Sequence, residues 1–161
     1  MWKMAVAWSV LAGAAHAADC TGPTIRFIES APRDRFEIAM GNQELRAVTI
    51  DLRGSVGRLI FDTAAGGTGV EVFQPLRDEG GTQAGNVADG AEAVTLRLRD
   101  ARAGTRAAFS IDVDDRLTTS DLGQNRVTGG EMAGARVSFE TAQGTMLEAE
   151  FDAANRAQIC P

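Results

Sequence analysis

Tyrosine is missing from this sequence, and its other scarce residues crowd one end. Both tryptophans (Trp2, Trp8), the only lysine (Lys3) and the only histidine (His16) fall within the first 17 residues. Beyond them, seven phenylalanines are the only aromatics and arginine is the only base. Each gap excludes a chemistry. Without histidine there is no Ser-His-Asp or Cys-His relay and no imidazole site for zinc. Without lysine no Schiff base forms. Without tryptophan or tyrosine, a sugar platform or base-stacking surface lacks its usual parts. Only carboxylates remain for proton work.

Long apolar runs are also scarce. Residues 4–14 form one, after Lys3 and before Ala15-His16-Ala17. A basic start, an apolar stretch and an A-x-A site are the parts of a secretory signal peptide, so cleavage is expected after Ala17. The run is far shorter than the ~20 residues that cross a bilayer. The expected product is one domain, 18–161, secreted or periplasmic, with no membrane insertion of the mature chain. Removing 17 residues from 161 leaves 144, and losing Lys3 takes the net charge from −6 to −7. Such an acidic chain repels nucleic acid and anionic membrane. Partners are therefore expected among proteins or cell-surface groups.

Cysteine is nearly absent: Cys20 and Cys160 are the pair. In an oxidising compartment they read as one disulfide that sets the first and last strands side by side. Two free thiols are the alternative.

What is abundant is short apolar alternation interrupted by Gly and Asp, the pattern of an antiparallel β-sandwich of Ig-like, Greek-key or jelly-roll type. Strands are expected at 24–29, 35–40, 45–53, 58–63, 70–74, 94–99, 106–115, 134–141, 145–152 and 157–160. An exposed connection is expected over 77–91 and a polar one over 116–130. Helix signals are confined to short Ala-rich pieces near Ala91 and Ala153.

The 106–115 stretch concentrates charge. Phe109, Ile111 and Val113 alternate with Ser110, Asp112 and Asp114, so one strand is expected to bury one face and show a carboxylate row on the other. Asp115 adds a third acid. Calcium takes several carboxylates with carbonyls and water, which makes Asp112, Asp114 and Asp115 candidate metal ligands, with Asp121 and Asn125 folding back to add oxygens. A solvent-facing charge ladder is the other reading, with Arg97 and Arg99 on the preceding strand, or Arg116, pairing with Asp112 or Asp114. Asp34 with Glu37, or Glu148 with Glu150, can be drawn as acid and base of a hydrolase. No residue is assigned a catalytic role. Gly66-Gly67-Thr68-Gly69 lies between strands with no lysine after it, so it reads as a turn and not a phosphate loop.

Residues 26–36 (RFIESAPRDRF), 48–52 (VTIDL), 59–63 (LIFDT), 69–75 (GVEVFQP), 109–115 (FSIDVDD) and 130–137 (GEMAGARV) resemble small exported bacterial proteins labelled "aggregation factor core". That resemblance covers most of the mature chain. It implies an Ig-like or Calx-beta-like sandwich of adhesive or binding character, and brings no established activity or catalytic residues. The expected function is a secreted or periplasmic non-catalytic binding or adhesion module, with calcium as the candidate cofactor. A carboxylate-only periplasmic hydrolase and a purely structural envelope protein are the alternatives.

Overall fold

The computed structural model describes residues 20–30, 33–69, 73–83, 85–117, 119–120, 122–124 and 126–160. In chain order the strands are β1 (Thr24–Ile28), β2 (Arg35–Ala39), β3 (Leu45–Asp51), β4 (Ile60–Asp62), β5 (Arg77–Gly80), β6 (Thr82–Gln83), β7 (Ala93–Leu98), β8 (Arg106–Ser110) and β9 (Asp112–Asp114). A single turn of helix, α1 (Gly129–Met132), precedes β10 (Arg136–Thr141), β11 (Met146–Glu150) and β12 (Arg156–Gln158). One five-stranded sheet runs β12-β1-β2-β8-β5 and a second runs β11-β10-β3-β7-β6. They pack as the expected all-β sandwich. A two-stranded ribbon, β4-β9, stands apart from both sheets.

Period-two alternation builds the core. Phe36 and Ile38 of β2, Val94 and Leu96 of β7, and Val137 and Phe139 of β10 are all buried, because every second side chain of a strand points to the same face. Phe36 is the hub: its ring lies 5.0 Å from Phe27, 5.0 Å from Phe109 and 6.4 Å from Phe151. Four of the seven phenylalanines thus meet at one place.

The 77–91 region corrects the expectation of a bare connection. It supplies β5 to the first sheet and β6 to the second, so one run of chain folds around the sandwich edge. Gly80 (φ +133°) and Gly81 (φ +80°) make the corner, in backbone territory closed to most side chains. A Cβ on Gly81 would also press to 3.0 Å from that of Ala107. Across the molecule the edge strands β11 and β12 meet in the same manner. Both open edges are folded towards each other, which limits edge-to-edge pairing with other chains.

Strand β1 pairs with β12, Thr24 opposite Gln158, and Cys20 is bonded to Cys160. The first and last strands therefore lie side by side, clasped by the disulfide, as expected. A disulfide of this kind belongs to an oxidising compartment outside the cytoplasm. The proposed signal residues 1–17 lie outside the described residues, as do 70–72, Asp121 and Asn125. Among the described residues no helix is long and apolar enough to cross a membrane.

The Ala-rich pieces near Ala91 and Ala153 form a bridge and a turn, not helices. The described helix is instead α1, started by a reciprocal cap. The Glu131 amide donates to Thr128 Oγ1 (3.3 Å), and the Thr128 amide donates to Glu131 Oε2 (2.7 Å). Thr128-Gly-Gly-Glu131 is a T-x-x-E capping box. Its backbone holds the neighbouring turn, since Val56 N donates to Ala133 O and Gly57 N to Glu131 O.

Candidate functional site: a buried carboxylate ribbon

The acidic stretch is not one strand. Its first half is β8, in the first sheet; after Ile111 it leaves that sheet and pairs as β9 with β4. Two side contacts guide the departure. Ile111 N donates to Asp34 O (3.1 Å) and Val113 N donates to Asp34 Oδ2 (3.1 Å), so a carboxylate takes the place of a missing strand partner. Asp112 N donates to Gln74 O (3.1 Å).

This corrects the expected orientation of the carboxylates. Phe109, Ile111 and Val113 are buried as expected, but so are Ser110, Asp112 (8% exposed), Asp114 (1%) and Asp115 (2%). The row is buried and does not face solvent. The proposed ladder with Arg97 and Arg99 does not form either. Arg97 is on β7, which pairs with β3 and β6, and Arg99, just past that strand, forms its ion pair with Asp78. The described ion pairs are at the surface, and none engages Asp34, Asp62, Asp112 or Asp115.

The ribbon register adds an acid that strand-by-strand reading leaves apart. Asp62 of β4 stands directly opposite Asp112 of β9, and Asp114, two residues on, shares the face of Asp112. The carboxyl of Asp62 is in hydrogen-bond contact with those of Asp89 and Asp114. Above them passes the loop 63–69. A Cβ on Gly69 would collide with Oδ2 of both Asp62 and Asp114, and one on Gly67 with Oδ2 of Asp89. The glycine run is therefore a turn, as expected, and glycine is required in it because the backbone lies on the carboxylates. Asp89 shapes this cover: it accepts from the Thr63 (3.0 Å), Ala64 (3.2 Å) and Thr68 (2.8 Å) amides and from the Thr68 hydroxyl (2.5 Å).

Burial and repulsion act on the protons. Burial pushes Asp34 up to about 8, against the pull of the Val113 amide and with a further push from Asp112. Burial pushes Asp112 up to about 7, reinforced by Asp114 and Asp62. Asp62 is also raised, by burial and then by contact with Asp89. Asp89 goes the other way, held well below the ordinary carboxylate range by the Thr68 hydroxyl and the loop amides. Among the buried polar atoms without a hydrogen-bond partner are Oδ2 of Asp112 and Oδ2 of Asp115. Such an atom costs roughly 1–3 kcal/mol, and more when it bears charge.

The sequence candidates thus separate. Asp112 and Asp114 lie together with Asp62. Asp115 continues past the ribbon, its Oδ1 accepting from Leu117 N (2.9 Å) and its own amide donating to Gln124 O (2.9 Å). Asp34 and Glu37 are not paired: Asp34 is buried against β9, while Glu37 meets Arg35 at the surface. Glu148 and Glu150 are exposed, and Glu150 meets Arg136. Among the described residues no group of three or more His, Cys, Asp or Glu side chains is arranged to hold a metal ion as it stands.

Three surface depressions, of about 230, 310 and 230 Å³, are lined by residues other than the buried acids; Arg35, Glu37, Glu79, Arg106, Ala107 and Ala108 line the first. No protein-family model, curated protein or solved structure matches the chain.

Proposed function

We propose that the chain is an exported, non-catalytic binding or adhesion module, akin to the small exported bacterial proteins of the "aggregation factor core" type. In this reading, the loops around its acidic ribbon engage a protein or cell-surface partner, and calcium orders that end. One observation carries it: buried carboxylates and exposed apolar side chains share one neighbourhood. The large apolar side chains exposed among the described residues are Val56, Phe73, Leu122 and Met146. Val56 precedes Gly57, whose carbonyl accepts from Arg116 N; Phe73 precedes Gln74, which binds Asp112 N; Leu122 lies two residues before Gln124, which binds Asp115 N. Three of the four thus border the 112–116 backbone. Such exposure rimmed by polar groups is characteristic of interaction surfaces.

A carboxylate-only hydrolase draws support from the raised Asp34 and Asp112, which stay partly protonated near neutral pH. It has less behind it, because both are buried and no depression described above opens onto them.

The test is cytometry of the labelled mature chain on intact cells of its own organism, in calcium and in EDTA. Saturable binding, lost in a Val56→Ser/Phe73→Ser/Leu122→Ser variant with an unchanged circular dichroism spectrum, supports the module. Equal binding by the triple variant, or turnover of an ester, glycoside or peptide abolished by Asp112→Asn, overturns it.

A further inference from the structure

We propose that Asp62, and not Asp115, joins Asp112 and Asp114 in a site for a hard, oxygen-seeking divalent cation on one face of the β4-β9 ribbon, beneath the 63–69 loop. The inference deepens the reading above and rests on it for calcium as the ion. Register is its first support. Asp62 and Asp112 are cross-strand partners and Asp114 follows on the same face, which sets three carboxyls on one side of a two-stranded frame. Oδ2 of Asp112, in a side chain more than nine-tenths buried, has no hydrogen-bond partner. It faces the charges of Asp114 and Asp62.

The cover is the second support. Gly69 lies against Oδ2 of Asp62 and of Asp114 so closely that no side chain fits there. Two carboxyl oxygens of separate strands therefore converge on one spot beneath backbone. No described guanidinium neutralises Asp62 or Asp112, and like charges at such range repel strongly when water is excluded. A cation drawn between them reverses the sign of every one of these interactions. The side chains alone do not enclose an ion, so water and nearby backbone oxygens complete the shell, as calcium commonly requires. Asp115 is outside the set because it lies past the end of β9 and off the ribbon face, with its Oδ1 held by the Leu117 amide. An ion held by Asp62 and Asp112 ties β4 to β9; through the Asp62–Asp89 contact it also steadies the loop that Asp89 caps.

The experiment uses the mature chain stripped with EDTA. Calcium chloride is added in calorimetry, and thermal unfolding is followed by circular dichroism, for wild type, Asp62→Asn, Asp112→Asn and Asp115→Asn. Wild type is expected to bind about one ion with a dissociation constant near ~0.1–1 mM. Its melting temperature should rise by about 5 °C at saturation. Asp62→Asn and Asp112→Asn should each lose at least about tenfold in affinity. Both should melt no lower than wild type in EDTA, because removing a buried like charge relieves repulsion. Asp115→Asn should keep the wild-type response, and Asp115→Ser, which retains an acceptor for the Leu117 amide, replaces it if the asparagine variant does not fold. No heat and no shift in wild type overturns the site. So does loss of response in the Asp115 variant with retention in Asp62→Asn, or an equal response to sodium at matched ionic strength. Cell binding that persists in EDTA would leave the binding module standing while the cation site falls, which separates the two failures.

Discussion

Replacing Cys20 and Cys160 together by serine removes the one covalent tie between the ends of the domain. The bonded residues are 140 positions apart, so the cross-link forbids nearly every extended conformation of the unfolded chain. Loop-closure entropy for that length is worth about 5 kcal/mol at 25 °C, an upper figure because real unfolded chains retain some structure. The folded state does little to compensate. Strand β12 is held to β1 by only three register pairs, and Ile159 N reaches Pro23 O as the last described backbone bond before the clasp. For a domain of this size a loss of that order lowers the melting temperature by roughly 15 °C. Urea titration followed by far-ultraviolet circular dichroism measures it, with the m-value showing whether the unfolded state has expanded. A serine variant within about 1 kcal/mol of wild type at equal m-value would refute the reasoning, since the tie would then constrain nothing that the fold does not already constrain.

Other outcomes follow from the same structure. Phe36→Ala should cost about 3–5 kcal/mol in chemical denaturation, because three other phenylalanine rings close on that side chain and cannot refill the space. Asp89→Ala should leave the core intact yet speed amide exchange at Thr63, Ala64 and Thr68 by about tenfold or more, since those donors lose their shared acceptor. Stability in EDTA should decline as pH rises. Asp34 and Asp112 titrate near 8 and 7 in the fold but near ~3.9 when unfolded, so the folded state binds more protons and loses that advantage between about pH 4 and 8. The expected drop is roughly 2–4 kcal/mol after allowance for partial screening. Asp51, Asp78 and Asp89 have the opposite sign and weaken the fold only in stronger acid. A melting temperature that rises from pH 5 to pH 8 in EDTA would contradict this balance.

Much of the fold is legible in the residues themselves. Apart from β5 and β6, the strands of both sheets follow from alternation, and the pairing of first and last strands follows from two cysteines near the ends. Strand β5 is hidden because Arg77-Asp-Glu-Gly80 has no apolar alternation. It is held by backbone pairing at an edge, where side chains have little to bury. The acidic stretch misleads for a related reason. Alternation correctly buries Phe109, Ile111 and Val113, but it cannot show that the chain changes partner at Ile111, or that a separate loop covers the opposite face. Asp62, placed 50 residues away, becomes the neighbour of Asp112 only through register. A local signal for α1 is present in Thr128-Gly-Gly-Glu131, whereas the Ala-rich pieces attract attention through propensity alone. Propensity without a face to bury does not sustain a helix.

The claim on which the rest turns is that Asp34, Asp62 and Asp112 are covered and that no described ion pair engages them. Carbon-detected nuclear magnetic resonance of the aspartate side chains, titrated in the metal-free mature protein, reads it directly. Asp34 should titrate near 8 and Asp112 near 7, with Asp89 still ionised at the acid end of the range. Ordinary titration of Asp34 and Asp112 near ~4 would show that solvent reaches them, and the account of this site would be wrong.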